Sequence, residues 1–200
     1  PLNVAIIGCG NISRGYGSSL KTKPDMVKIV GAFDLDKERA ESFTNEYGGK
    51  IYNSLEDALA DPDVEAIVNL TSHLAHAEVS AAALSAGKHV HSEKPLAATR
   101  EDGKCLLSLA EENDLRLSCS PFTFLGEAQE TARKAINDGM IGKPLIAYAE
   151  MNWARIEFWH PNPEGFYGVG AGPMLDVGVY ALTVLTTILG PVKRVLGDAA

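Results

Sequence analysis

The chain has 200 residues, 46% of them apolar, which suffices for one large domain or for one domain and part of another. Its formal charge is −8 without a cluster of Lys or Arg, so we expect no nucleic-acid partner. Cys9, Cys105 and Cys119 form no Cys-x-x-Cys pair, which argues against a disulfide framework or structural zinc and favours a cytoplasmic setting. We also expect neither a membrane span nor a signal peptide in these residues, because no apolar run reaches about eighteen residues.

Apolar runs alternate with helix-compatible segments through residues 1–120, which predicts a regular series of strands and helices. The predicted strands are residues 2–7, 27–33, 51–52, 64–70, 88–91 and 115–119. The predicted helices are residues 11–20, 37–47, a short helix capped by Ser54, residues 75–86, and a helix from Thr99 to Asn113. This alternation predicts an α/β fold with a doubly wound parallel sheet, because parallel neighbours need helical crossovers.

The rhythm changes at Pro121, so we place a domain boundary near Ser120. Beyond it we predict helices at 124–138 and 173–189, a strand at 145–153, a loop rich in proline and glycine, and a strand-like run at 192–196. Residues 121–200 contain too few elements to cover both faces of a sheet. We therefore expect one complete domain over 1–120 and an incomplete second domain over 121–200.

A glycine turn, Gly8-Cys9-Gly10-Asn11-Ile12-Ser13, follows the first predicted strand and matches the fingerprint G-x-G-x-x-[GA] except for its last residue. The first glycine permits a tight turn, and the second lets a pyrophosphate approach the backbone. A small last residue packs the helix on the strand, and serine is small enough. Because this turn lies between a strand and a helix, we expect a dinucleotide to contact Gly8, Gly10, Asn11 and Ile12.

Asp34 ends the second predicted strand, about twenty residues past the glycines, where a carboxylate accepts hydrogen bonds from the adenosine ribose. Its charge repels a 2′-phosphate, so NAD is favoured over NADP as the cofactor. Two alternatives stay open. Asp34, like Asp36, is also suited to cap the next helix, and Arg39 is a nearby cation that could admit the phosphate of NADP.

Polar residues follow the fourth predicted strand, at the edge of the sheet where ligands of such folds bind. Thr71, Ser72, His73 and His76 are candidates for cofactor contact, and their alternative role is to cap the next helix. No carboxylate or cysteine beside these histidines completes a metal site, so we expect no metal.

Glu93-Lys94-Pro95 ends the fifth predicted strand. A charged pair at the end of a buried strand must be solvated, paired or functional. The geometry of a parallel sheet directs it to the cleft where a nicotinamide would lie, which makes Glu93, Lys94 and Pro95 candidates for cofactor contact. The alternative is a surface loop with a proline that starts a helix.

Three segments carry a family resemblance: the glycine turn, residues 86–96 (Ala-Gly-Lys-His-Val-His-Ser-Glu-Lys-Pro-Leu) and residues 170–180 (Gly-Ala-Gly-Pro-Met-Leu-Asp-Val-Gly-Val-Tyr). In order and spacing they resemble the glucose-fructose oxidoreductase, inositol dehydrogenase and rhizopine-catabolism (Gfo/Idh/MocA) family of NAD(P)-dependent oxidoreductases. The resemblance implies an N-terminal Rossmann domain over 1–120 and, over 121–200, the first part of an α+β C-terminal domain with a large open sheet. That sheet covers the substrate and often forms the interface of a homo-oligomer. It also implies that the chain is the first part of a longer protein.

By this resemblance, Lys94 corresponds to the family's lysine that contacts substrate and nicotinamide. Asp176 corresponds to the aspartate of its Asp-x-Gly-x-His pattern, in which this chain has Tyr180 in place of histidine. The branches that resemble glucose-fructose oxidoreductase and dimeric dihydrodiol dehydrogenase have tyrosine there, which favours an aldose or pyranoside over inositol. We expect Lys94, Asp176 and Tyr180 to be catalytic, with Tyr180 as the acid/base and Lys94 as the cation that lowers its pKa.

Two further features of residues 121–200 have alternative interpretations. Asp176 and Tyr180 are four residues apart and share one helix face, whereas another stripe is typical of a core helix. That stripe consists of Leu175, Val179, Leu182 and Leu185. Trp159 and His160, in the loop before this helix, suit stacking on and hydrogen bonding to a sugar, and the alternative is a rigid surface loop or subunit contact.

We thus expect an oxidoreductase that transfers hydride between NAD(P) and a hydroxyl or carbonyl of a sugar or related alcohol. The alternative is a regulatory protein of the same fold, which binds the dinucleotide without turnover, as some family members do. Lys94, Asp176 and Tyr180 together favour the enzyme, because a regulator needs the glycine turn but no catalytic set.

Overall fold

The computed structural model describes residues 1–152, 154–158, 160, 163–168 and 170–197. Contacts divide the chain into two compact units, which we call unit 1 (Pro1–Ser120) and unit 2 (Pro121–Ala200). Among the described residues, no helix is long and apolar enough to cross a membrane.

Unit 1 is built on a six-stranded parallel sheet. Its strands are β1 (Leu2–Ile7), β2 (Val27–Phe33), β3 (Lys50–Ile51), β4 (Ala66–Asn69), β5 (His89–Ser92) and β6 (Leu117–Cys119). Its helices are α1 (Ser13–Lys21), α2 (Lys37–Tyr47), α3 (Leu55–Ala60), α4 (His76–Ser85) and α5 (Arg100–Glu112). The strand order β3-β2-β1-β4-β5-β6 confirms the predicted doubly wound fold.

The hydrophobic core of unit 1 lies on both faces of this sheet. Successive side chains of a strand point to opposite faces. In β1, Val4 and Ile6 accordingly pack into one apolar cluster, and Ala5 and Ile7 pack into the other. A sheet covered by helices on both faces needs such continuous apolar runs, which explains why β1 lacks the alternation of a half-exposed strand.

Two side-chain caps fix the helix starts that the sequence predicts. Ser54 accepts a hydrogen bond from the N–H of Asp57 at 3.1 Å. Thr99 accepts one from the N–H of Asp102 at 3.1 Å and donates its hydroxyl proton to the Asp102 carboxylate at 2.7 Å. These bonds satisfy N–H groups that have no partner within the helix.

Unit 2 contains, in its described residues, two α-helices, α6 (Glu127–Asn137) and α7 (Val179–Leu189). It also has 3₁₀ helices at Thr123–Leu125, Ile156–Phe158 and Glu164–Phe166, and a π-helical turn at Met174–Gly178. The strands predicted at 145–153 and 192–196 are wrong, because the described residues of these segments pair with no neighbour. Leu145 and Leu196 are instead 87% exposed. A strand needs a hydrogen-bonded partner, which an apolar sequence alone does not supply.

A buried acidic side chain, Asp61, lies in the loop that leads into β4. Its carboxylate accepts a hydrogen bond from the Tyr52 hydroxyl at 2.5 Å, and the Nζ atom of Lys50 lies 2.7 Å away. It also accepts one from the N–H of Asp63 at 2.9 Å. Lys50, followed by Tyr52 and the Asp63 N–H, holds the pKa of Asp61 at about 2, below its ordinary value.

We predict that Asp61→Asn destabilises unit 1 by about 1–3 kcal/mol at neutral pH, because it removes a charged hydrogen-bond partner. The carboxylate stabilises the folded state fully above its ordinary pKa of about 4. This contribution is lost as the pH falls through about 2. Urea unfolding of the two proteins should therefore give stabilities that converge between pH about 4 and about 2. A difference that stays constant over this range would contradict the assignment.

The matched control is Glu41→Gln. It removes a pair with Lys37 that is exposed and has an N–O distance of 3.9 Å. Exposed pairs contribute little, so we expect a change below about 0.5 kcal/mol at every pH.

Candidate functional site

The carboxyl ends of the strands meet along one edge of unit 1, which we call the ligand edge. Ile7 of β1 pairs in register with Phe33 of β2 and Asn69 of β4, and Asn69 pairs with Ser92 of β5. The loops after these strands therefore start side by side. The strand order reverses between β1 and β4, the point at which open α/β sheets bind their ligands.

The glycine turn meets the fingerprint's requirements at each position. Gly8 has a φ of +94°, and a Cβ on it would lie 2.6 Å from the carbonyl oxygen of Leu70. A Cβ on Gly10 would have no atom of the described residues within 4 Å, apart from those of Gly10 and its two chain neighbours. Ser13 is 1% exposed and donates its hydroxyl proton to the carbonyl of Gly10 at 2.7 Å. The first glycine is thus required by packing, and the second faces open space.

Asp34 holds this turn to the end of β2. Its carboxylate accepts hydrogen bonds from the N–H of Cys9 at 2.6 Å and from the N–H of Asp36 at 2.8 Å. Asp36 caps α2 by accepting from the N–H of Glu38 at 3.1 Å, so of the two candidates Asp36 is the cap. Arg39 pairs with Asp36 at 3.2 Å. A carboxylate offers about four lone-pair directions, so Asp34 can also accept from ribose hydroxyls.

Asn69, which sequence reasoning missed, organises the loop after β4. Its side chain is fully buried, and Nδ2 donates to the carbonyl of His76 and to the hydroxyl of Ser80, both at 3.0 Å. Its Oδ1 accepts from the Thr71 hydroxyl at 2.7 Å. The sequence signal that could have identified Asn69 is a polar residue at the end of an otherwise apolar strand. Helix α4 has no side-chain cap, so the polar residues of this loop do not serve as one. Of them, Thr71 and His73 are half-buried and Ser72 is exposed.

His76 is enclosed within unit 1, with 2% of its surface exposed. Nδ1 lies 2.7 Å from the carbonyl oxygen of Pro95, and Nε2 lies 3.1 Å from that of Thr71. Burial lowers the pKa of His76. Both ring nitrogens therefore face the protein, and the ring joins the loop after β4 to the loop after β5 instead of facing a ligand.

The Glu93-Lys94-Pro95 segment lies at the ligand edge, but the Glu93 carboxylate points into unit 1. It accepts from the Tyr16 hydroxyl at 2.7 Å and from the N–H of Lys94 at 2.9 Å. Lys94 is half-buried, Pro95 is buried, and the peptide bond between them is cis. Sequence reasoning missed Tyr16, whose only signal was an aromatic hydroxyl one helical turn beyond the glycine turn.

In unit 2, Asp176 lies in the π-helical turn and Tyr180 in the first turn of α7, and both are half-buried. The single α-helix predicted over 173–189 is therefore wrong over its first turns. A π turn bonds residues five apart and occurs frequently at functional sites. In the predicted apolar stripe, Leu182 is 46% exposed and the other three leucine and valine side chains are half-buried.

The predicted sugar contacts are only partly covered by the structure. Trp159 lies outside the described residues. His160 is described, and its ring meets the ring of Phe166 edge-on, with 4.6 Å between the centroids.

A metal-ligating cluster or a reactive thiol would be a further candidate group in the described residues, whose two less exposed thiols are Cys9 and Cys119. No group of three or more His, Cys, Asp or Glu side chains in this part of the chain is placed to hold a metal ion. Burial raises the pKa of the Cys9 and Cys119 thiols to about 12. The negative charge of Asp34 adds to the rise at Cys9, and that of Glu93 adds to the rise at Cys119. Both thiols are therefore neutral at physiological pH.

The residues of the ligand edge fit a dinucleotide. A pyrophosphate needs backbone without side chains and the start of a helix, and Gly10 and the uncapped first turn of α1 supply both. The ribose needs an acceptor at the end of the second strand, where Asp34 lies. Fold and site together define a Rossmann-type dinucleotide-binding domain.

The chain belongs to the GFO/IDH/MocA oxidoreductase family. The model of the oxidoreductase family with an NAD-binding Rossmann fold matches residues 2–120. The model of the GFO/IDH/MocA C-terminal domain matches residues 129–200. The family resemblance predicted from the sequence is confirmed, and with it the class of cofactor, NAD(P).

Several relatives with named activities are reductases or dehydrogenases. The chain is 32% identical over 191 residues to a 1,5-anhydro-D-fructose reductase of Ensifer adhaerens, which covers 92% of this chain and 55% of that protein. It is 30% identical over 169 residues to an inositol 2-dehydrogenase of Salmonella typhimurium, and this match covers 83% of this chain and 50% of that protein. The chain thus spans about half the length of these relatives.

Solved structures show the same fold. KijD10, a 3-ketoreductase from Actinomadura kijaniata in complex with NADP and TDP-benzene, has a TM-score of 0.78 and 29% identity, over 95% of this chain and 58% of that one. The WlbA dehydrogenase of Bordetella pertussis, in complex with NADH and UDP-GlcNAcA, has a TM-score of 0.87 and 23% identity, over 95% of this chain and 59% of that one. The second likeness concerns the fold alone.

We predict that one of two glycine substitutions in the same turn lowers stability and that the other weakens cofactor binding. Gly8→Ala places a Cβ against the backbone of Leu70 at positive φ and should destabilise unit 1 by more than about 2 kcal/mol. Gly10→Ala meets open space and should change stability by less than about 0.5 kcal/mol. It should nevertheless raise the Kd of NADH at least about tenfold, because the methyl group occupies the approach of the pyrophosphate. Thermal melts measure the stability of both variants, and fluorescence titration measures the Kd of NADH. Unchanged NADH binding by Gly10→Ala would show that the glycine turn is not part of the cofactor site.

Proposed function

We propose that the complete protein is an NAD(P)-dependent oxidoreductase that transfers hydride between the cofactor and a hydroxyl or carbonyl of a sugar or related alcohol. One observation carries this proposal. The glycine turn, Asp34 and the Glu93-Lys94-Pro95 segment lie together at the edge of the sheet where its strand order reverses. The anhydrofructose reductase and inositol dehydrogenase activities of the relatives support a sugar-like substrate.

Unit 1 holds the dinucleotide in this proposal, and unit 2 begins the domain that binds substrate. A bound nicotinamide supplies or accepts the hydride. Lys94 binds the reacting oxygen, and its charge stabilises the alkoxide that forms there. Tyr180 exchanges the hydroxyl proton as acid/base, and Asp176 orients the hydroxyl or the ammonium group of Lys94. His160 and Trp159 belong to the substrate contacts.

We also propose a homo-oligomer that forms through unit 2, in a cytoplasmic setting and without a nucleic-acid partner. The large apolar side chains of Leu145, Ile146 and Leu196 are 72–87% exposed, which favours burial against further protein. Cys9, Cys105 and Cys119 are free thiols, as in a reducing compartment. Light scattering of the complete protein measures the oligomeric state, and a monomer at micromolar concentration contradicts this part of the proposal.

We predict that Lys94→Met in the complete protein keeps the Kd of NADH within about threefold and lowers kcat by about 100-fold or more, because the lost charge acts in the transition state. Lys104→Met, which removes an exposed lysine from α5, is the matched control and should leave both values unchanged. The measurement is NADH formation with a panel of aldoses and polyols. Full turnover by Lys94→Met would end the assignment of Lys94.

Tyr180→Phe separates the roles of Lys94 and Tyr180 in the same assay. We expect a loss of about 100-fold in kcat and the loss of one limb of the pH–rate profile, because the acid/base group is removed. If Tyr180→Phe keeps both the rate and the pH profile of the wild-type protein, Lys94 is the residue that exchanges the proton. If the wild-type protein binds NADH and turns over no member of the panel, the regulatory alternative is favoured.

We propose NAD as the preferred cofactor, because the charge of Asp34 repels a 2′-phosphate. We predict a Kd for NADP at least about tenfold above that for NAD, and a ratio within about threefold in Asp34→Ser. Asp25→Ser is the matched control and should leave the ratio unchanged, because it removes an exposed carboxylate that lies before β2, at the other end of this strand from Asp34. Equal affinity of the wild-type protein for the two cofactors would contradict the role of Asp34.

A further inference from the structure

The Glu93 carboxylate is held by two hydrogen bonds within unit 1. One oxygen accepts from the Tyr16 hydroxyl at 2.7 Å, and the other accepts from the backbone N–H of Lys94 at 2.9 Å. Hydrogen bonds to a charged acceptor are about twice as strong as those between neutral groups. The carboxylate therefore connects helix α1 to the backbone at Lys94.

The Tyr16 hydroxyl is itself fixed by its surroundings. Its oxygen lies 2.9 Å from Oγ of Ser120 and 3.3 Å from Nε2 of His91. A phenol has one proton, which goes to the charged acceptor Glu93, and its oxygen accepts from Ser120. Ser120 is 6% exposed and Tyr16 is half-buried, so water competes little for these bonds.

This network joins the two parts of the ligand edge that a dinucleotide must contact together. Helix α1 starts directly after the glycine turn, and Tyr16 lies in its first turn. Glu93 and Ser120 follow the ends of β5 and β6. A shift of Lys94 relative to the glycine turn therefore requires that at least one of these hydrogen bonds breaks.

We infer that Tyr16 is a positioning residue for Lys94: through the Glu93 carboxylate it fixes the backbone from which the Lys94 side chain extends. Its hydroxyl donates to Glu93 and takes no part in the chemical step. The inference rests on the proposed function where it concerns turnover, and on the contacts of unit 1 alone where it concerns the Lys94 backbone.

Tyr16→Phe removes the hydroxyl and keeps the ring. In the cofactor-free protein we expect hydrogen exchange of the Lys94 amide to become about tenfold faster, because the Glu93 carboxylate loses one of its two bonds. In the turnover assay we expect kcat to fall about tenfold while the Kd of NADH stays within about twofold. Glu93→Gln should act similarly, and the double variant should be no slower than the slower single variant, because both changes break the same link.

The matched control is Tyr52→Phe, which removes the hydroxyl from another tyrosine–carboxylate bond of unit 1, that to Asp61 at 2.5 Å. It should lower the melting temperature as Tyr16→Phe does, and leave Lys94 exchange and kcat unchanged. If Tyr16→Phe also changes only the melting temperature, Tyr16 is a packing residue and the inference is overturned. If the wild-type protein shows no turnover, the proposed function fails, whereas the exchange of the Lys94 amide still decides the role of Tyr16.

Discussion

The contact between the backbones of Gly8 and Leu70 is the constraint on which the ligand edge depends. β1 and β4 are neighbours at the point where the strand order reverses, and the N–H of Leu70 donates to the carbonyl of Ile7 at 2.7 Å just before the two chains diverge. Any Cβ at Gly8 would force these backbones apart. On the other side, the N–H of Cys9 donates to Asp34 at the end of β2. The glycine turn is thus fixed by contacts with both neighbouring strands.

The fold of unit 1 follows from local signals in the sequence because both faces of its sheet are buried. Ile6 and Ile7 point to opposite faces and are both buried, so each strand is a compact apolar run between helical segments. Unit 2 offers weaker signals. Its apolar segments around Leu145 and Leu196 are strands only if a partner pairs with them, and periodicity contains no information on partners. The π turn at Met174–Gly178 is equally hidden, since five residues are too few to distinguish its period from that of an α-helix.

The candidate site shows the same limit at the level of side chains. Asp34 and Glu93 both follow strands at the ligand edge, and a carboxylate there suits a ligand hydroxyl as well as a backbone N–H. Residue type and position therefore predict that these groups are functional, but not which way they point. The direction is set by donors that are distant in sequence: Cys9 lies 25 residues from Asp34, and Tyr16 lies 77 residues from Glu93. Only the assembled sheet brings these pairs together.

Polar groups that face inward give the ligand edge its stiffness. Asn69, His76 and Glu93 each bond to groups of a neighbouring loop or helix, and burial of a polar group is tolerated only when such bonds are made. Helix α1 and the loops after β4 and β5 are consequently held to one another by the protein's own hydrogen bonds. A ligand that meets a prearranged edge orders fewer groups on binding, so more of its interaction energy appears as affinity. Inward-facing polar side chains thus hold in position the loops whose other residues are candidates for ligand contact.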